Sequence, residues 1–207
     1  MKIEEIEPTP NPDAMKFVLD QPITRGFMTH SFEDEESAAE VPLAKELFGI
    51  DHVISVYFAD RWITVTQDGK AEWSELLREI ADPIRDAEAD DATVEVSGGG
   101  QGADDGGDDE EKPGMDDPRM PQIQEIIKEE ILPFLQGDGG GLTIKGLVDD
   151  ELLIQYEGAC GTCPASFTGT LMAIENLLQS EVDPELRVSS VDGPPGGAGG
   201  GYVPSVF

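Results

Sequence analysis

Apolar positions along the first ninety residues follow two rhythms. "MKFVLD", "HVISVYFA" and "RWITVTQ" are short runs rich in β-branched and aromatic residues and read as strands. The last two flank Ala59 and Asp60 as a tight hairpin, with β-branched and aromatic residues alternating along "WITVT". Ahead of the first strand, Pro8, Pro10 and Pro12 in "EPTPNPDA" exclude a helix and mark turns. The second rhythm is helical. Pro42 suits the first turn of a short helix reaching Phe48, which Gly49 ends, and Trp73, Leu76, Leu77, Ile80 and Ile84 share one face of a helix over residues 73–88.

The rhythms recur after residue 118. Ile123, Ile126, Ile127, Ile131, Phe134 and Leu135 form the apolar stripe of a helix that starts near Pro118 and stops at Gly137. "LTIKGLV" and "ELLIQYE", separated by Asp149 and Asp150, read as a hairpin. Pro164 opens a further helix whose buried stripe is Phe167, Leu171, Ile174, Leu177 and Leu178, and "ELRVSSV" is a last strand. The order α-β-β-α-β fills about 75 residues, a small domain with one core.

Between the halves the periodicity disappears. "VEVSGGGQGADDGGDDEEKPGMDDP" is Gly- and acid-rich with almost nothing to bury, so it cannot offset its chain entropy by folding. The expected organisation is α+β: two small α/β-sandwich-like domains, residues 1–92 and 119–192, joined by a flexible acidic Gly-rich linker at 93–118. Residues 193–207 read as a flexible Gly/Pro tail ending in an apolar cluster of Tyr202, Val203, Val206 and Phe207.

Charge narrows the partners. Of 207 residues 44 are acidic and 13 basic, a formal charge of −31, which opposes binding to nucleic acid or to an anionic membrane because both select Lys and Arg. The acids are spread over both halves, as on a surface adapted to high salt or on an ordinary very acidic protein. Acidic runs such as residues 33–36 read as solvated surface. No apolar run approaches a membrane span, and "MKIEEIEPTP" carries acids where a targeting peptide would carry bases, so the expected location is cytoplasmic.

Candidate chemistry is confined to one place. His30 and His52 belong to no ligand-spaced cluster and read as structural. Cys160 and Cys163, the only two cysteines, stand in "EGACGTCPAS" where a strand hands over to a helix. Gly161 eases the turn and can aim its amide at a sulfur, Pro164 suits the helix start, and the positive helix end favours thiolate. A C-x-x-C pair is either a redox couple or half of a metal site. A thioredoxin-like oxidoreductase would place the motif early, with more sheet to come after it, and here one helix and one strand remain. Zinc and 4Fe–4S sites take four ligands, which two copies facing each other across a two-fold axis supply from a single motif. A zinc-bridged structural dimer and an iron–sulfur dimer use the same four sulfurs. Asp138 with Gly139, Gly140 and Gly141 has no Lys after it and no helix start, so it reads as a helix cap and close-approach turn, not a phosphate loop.

"CGTCPAS" after a hairpin, preceded by "LPFLQGDGGG", resembles the NifU C-terminal domain of Nfu-type iron–sulfur cluster carriers, and "PTPNPDAMKF" with "PLAKELFGIDHVISVYFADRWITVT" resembles the Nfu N-terminal domain. The resemblance implies a non-enzymatic homodimer that holds one bridging 4Fe–4S cluster per dimer on Cys160 and Cys163 of each subunit, receives it from an upstream scaffold and passes it to apo iron–sulfur proteins. It also implies partner recognition by the N-terminal domain. The chain departs from the family pattern at Leu132, where Arg is usual before Pro, and at Gly141, often Asp; Lys145 and Arg187 are then the bases expected near an anionic cluster.

Overall fold

In the computed structural model, which describes residues 1–24, 29–88, 92, 112–163 and 169–191, the hairpin read from "HVISVYFA" and "RWITVTQ" is the centre of a five-stranded sheet. Its strands are β1 (Ile3–Pro8), β2 (Ala14–Leu19), β3 (Thr29–Phe32), β4 (Val53–Ala59) and β5 (Trp62–Gln67), antiparallel in the order β1-β2-β5-β4-β3. Ala59 pairs with Trp62, so the connecting residues are Asp60 and Arg61, one position later than expected. Asp60 has φ +44°, a left-handed conformation that Asp tolerates in tight turns.

Phe17, Leu19, Val56, Phe58, Ile63 and Val65 line one sheet face and pack with Leu43 and Leu47 of α1 (Pro42–Phe48) and Leu76, Ile80 and Ile84 of α2 (Trp73–Asp86). Each such side chain contributes about 1.5–3 kcal/mol by leaving water. Both faces of β5 are covered: every residue from Ile63 to Gln67 is buried, including Thr64 and Thr66 on the opposite face. His30 lies on β3 opposite Phe58, and the His52 ring sits 3.2 Å from Asp68.

The chain divides into two units, Met1–Asp108 and Asp109–Phe207. In the second, the helix expected from Pro118 to Gly137 is interrupted. α3 (Met120–Ile126) passes through a π turn at Ile127–Ile131 into α4 (Leu132–Gly137). Pro133 has no N–H for a carbonyl four residues back, and the Leu132 amide reaches five back, to Ile127. One extra residue in a turn rotates the remainder of the helix by about 100°. Phe134, expected in the buried stripe, is therefore 75% exposed while Leu135 is buried.

β6 (Gly140–Val148) and β7 (Glu151–Gly158) form the second hairpin, and β8 (Arg187–Ser190) pairs parallel to β7 after a crossover through α5 (Leu171–Glu181). Ile123, Ile127, Leu135, Leu152, Ile154, Tyr156, Ile174 and Leu178 make the core. Near the end of β6 away from the cysteines, the Leu147 amide donates to the Pro113 carbonyl at 2.7 Å, so residue 113 of the 93–118 stretch touches this unit. The chain is thus α+β, with helices layered on two separate sheets. Residues 93–111 of the expected 93–118 linker, Pro164 and Phe167, and the tail with Tyr202, Val203, Val206 and Phe207 lie outside the described residues. No helix among the described residues is long and apolar enough to cross a membrane.

Candidate metal centre

β7 ends at Gly158, whose φ of +59° turns the chain out of the sheet. Three backbone bonds then coil it tightly: Cys160 N–H donates to the Glu157 carbonyl at 3.3 Å, Gly161 N–H to the Gly158 carbonyl at 3.1 Å, and Cys163 N–H to the Cys160 carbonyl at 3.3 Å. The last bond closes a four-residue turn with a cysteine at each end. The Gly161 amide is therefore committed to Gly158 and is not aimed at a sulfur, contrary to the sequence expectation. Neither cysteine is in a disulfide, and both are buried, with Cys160 4% and Cys163 5% exposed.

The loop is pinned from the side by the end of α4. Asp138 and Gly139 amides donate to the Phe134 and Gln136 carbonyls, Gly139 takes φ +80°, and its carbonyl accepts the Ala159 amide at 3.2 Å. The glycines after Asp138 are thus the expected cap and close-approach turn, and they lie directly beside the cysteine loop because Gly140 pairs with Gly158. In the sequence these two features stand apart; the strand register brings them together.

Sulfur is the soft donor here. Among the described residues no group of three His, Cys, Asp or Glu side chains could hold a metal ion, so within them the two thiols have no third such ligand beside them. The surroundings are low in dielectric: Cys160 packs in the core with Tyr156 and Leu142. Burial, and then the negative charge of a Cys160 thiolate, push the Tyr156 phenol well above its ordinary pKa and keep it protonated. The buried Glu157 carboxylate accepts a hydrogen bond from the Thr143 hydroxyl. Arg187 is not a neighbour of the thiols. It pairs with Glu151 at the opposite end of β7, seven residues and about 24 Å of strand from Gly158. Lys145 lies partway along β6, between the Ile144–Ile154 and Gly146–Leu153 pairs.

Two family profiles match the chain in tandem: "Scaffold protein Nfu/NifU N terminal" over residues 3–90 and "NifU-like domain" over residues 123–189. Among curated proteins, the human protein named "NFU1 iron-sulfur cluster scaffold homolog, mitochondrial" is 31% identical over 179 residues, covering 84% of this chain and 66% of its own length. The protein of the same name from Drosophila ananassae is 29% identical over 175 residues, covering 84% of this chain and 59% of its own length. The chain thus spans about three fifths to two thirds of these relatives. Among solved structures, a NifU-like protein from Saccharomyces cerevisiae is 26% identical with a TM-score of 0.38, covering 41% of this chain and 76% of that one.

Proposed function

The chain belongs to the Nfu/NifU family, with its N-terminal domain and its NifU-like domain both present, and on that premise we propose that it is an iron–sulfur cluster carrier. Cys160 and Cys163 of one copy and the same pair of a second copy hold one 4Fe–4S cluster as cargo between four thiolates. The observation that carries this reading is the closed Cys160–Cys163 turn, with two thiols outside any disulfide and no third ligand in the same chain among the described residues. Delivery is ligand exchange, not catalysis: each iron–sulfur bond to Cys160 or Cys163 gives way to one with a recipient thiolate, the released cysteine takes up a proton, and no electron is transferred. The donor is an upstream scaffold and the recipients are apo iron–sulfur proteins. In this reading residues 119–192 hold the cluster, residues 1–92 select partners, and 93–118 join them in a reducing compartment such as the cytoplasm.

Anaerobic reconstitution with ferrous iron and sulfide, followed by native mass spectrometry and iron and sulfide assays, tests it. The expected species is a dimer with four irons and four sulfides that returns to monomer when the cluster is stripped. A colourless dimer with one zinc would replace the carrier with a zinc-bridged structural pair, and a metal-free monomer with a Cys160–Cys163 disulfide would sink both. Cys160→Ser or Cys163→Ser is expected to lower bound iron at least tenfold while the chain still unfolds cooperatively.

A further inference from the structure

Gly139 and Gly158 are glycines for conformational reasons, with φ of +80° and +59°. Gly140, between them in space, is different: its φ is not in the left-handed region, so its backbone suits any residue. Space sets it apart. A Cβ built on Gly140 would lie 2.6 Å from Cys160 Sγ, 2.6 Å from the Glu157 carbonyl oxygen and 2.9 Å from the Cys160 nitrogen. Ordinary contact is about 1 Å longer. Gly137, three residues earlier in the same segment, has nothing within 4 Å of its would-be Cβ.

We infer that Gly140 is a positioning residue for the cysteine pair: its bare Cα is the surface against which the Cys160 thiol and the turn that carries it are seated. A methyl group there could be escaped at Sγ by a rotation of the Cys160 side chain, but the other two contacts are main-chain atoms and cannot turn away. The turn itself must move. Cys163 moves with it, since its amide is bonded to the Cys160 carbonyl, and the Ala159-to-Gly139 bond that joins loop to helix end is stretched. The role in holding a cluster rests on the carrier reading; the effect on the thiol does not.

The test compares the full chain with Gly140→Ala and with Gly137→Ala as the steric control. Alkylation by iodoacetamide of the metal-free protein, read separately at Cys160 and Cys163 by peptide mass spectrometry, is expected to quicken at least threefold at Cys160 in Gly140→Ala and to stay unchanged in Gly137→Ala. Iron bound after reconstitution is expected to fall at least threefold in Gly140→Ala alone. Wild-type alkylation rates and iron loading in a folded Gly140→Ala would overturn the inference. If the unmodified chain takes up no iron, the carrier reading fails while the alkylation comparison still decides the role of Gly140. Should Gly140→Ala not fold, adding Cys160→Ala removes only the Sγ contact and leaves the two main-chain contacts, so the double variant is expected to stay as poorly folded; full recovery of cooperative unfolding would mean that the turn itself need not move and would equally overturn the inference.

Discussion

Arg119 ties several segments together at the end of the second unit away from the cysteines. Its guanidinium reaches Asp117 at 3.0 Å, Asp150 at 2.8 Å, Asp183 at 3.2 Å and the Asp149 carbonyl at 2.8 Å, linking the start of α3, the β6–β7 turn and the segment after α5. Such partly buried surface pairs are individually weak, and truncation leaves three carboxylates facing one another. Arg119→Ala is expected to lower the thermal midpoint by on the order of 5 °C, monitored by circular dichroism, while iron uptake at the distant thiols is unchanged. In the first unit, the Lys70 side chain foremost, then its amide and the His52 ring, bring the Asp68 carboxyl from 3.8 to about 2. A carboxyl depressed by folding stabilises the native state above its unfolded pKa and loses that effect as pH falls through the folded value. Denaturation of Asp68→Asn and the unmodified chain should therefore differ at pH 6 and converge as pH drops from 3.8 toward about 2. At this scale the sequence reveals chemistry but not contacts. Two lone cysteines at C-x-x-C spacing are visible in the letters, whereas the partners of Arg119 and the seat at Gly140 exist only through strand register.

The π turn is the clearest case at the scale of elements. An uninterrupted α-helix would put Phe134 and Leu135 on or beside the buried stripe, yet here they part company. Phe134→Ser is expected to change unfolding free energy by no more than about 0.5 kcal/mol, and Leu135→Ala to cost about 2–4 kcal/mol, measured by urea titration. Equal effects would mean that the helix runs straight in solution. Elements with strong periodicity, α1, α2, β4 to β7 and α5, were legible because burial of one face dictates which letters can occupy it. β1 and β3 were not. "IEEIEP" and "THSF" are edge strands, paired on one side only, and an edge tolerates charge, polar residues and a terminal proline that would disqualify a central strand. The π turn escaped notice because Pro133 signals a disturbance without saying whether the helix will stop, kink or widen.

For the whole molecule, charge sets the terms of assembly. Two copies bring together twice −31, or −62, formal charges before any cluster is counted. Salt shortens the screening length from roughly 8 Å at physiological strength to roughly 3 Å at 1 M. The fraction of protein sedimenting as cluster-bearing dimer is therefore expected to rise several-fold between about 0.02 M and 1 M potassium chloride; a falling fraction would mean that attraction between specific ion pairs governs the contact. The parallel pairing of β8 with β7 has a further consequence, in time as opposed to space. β8 ends at Ser190, 27 positions after Cys163 (190 − 163), so the strand that completes the sheet is synthesised last. At roughly 5–20 residues per second the ribosome needs about 1–5 s to cover that distance. For those seconds β7 is paired with β6 alone, so the second sheet remains a two-stranded hairpin until Ser190 has been added.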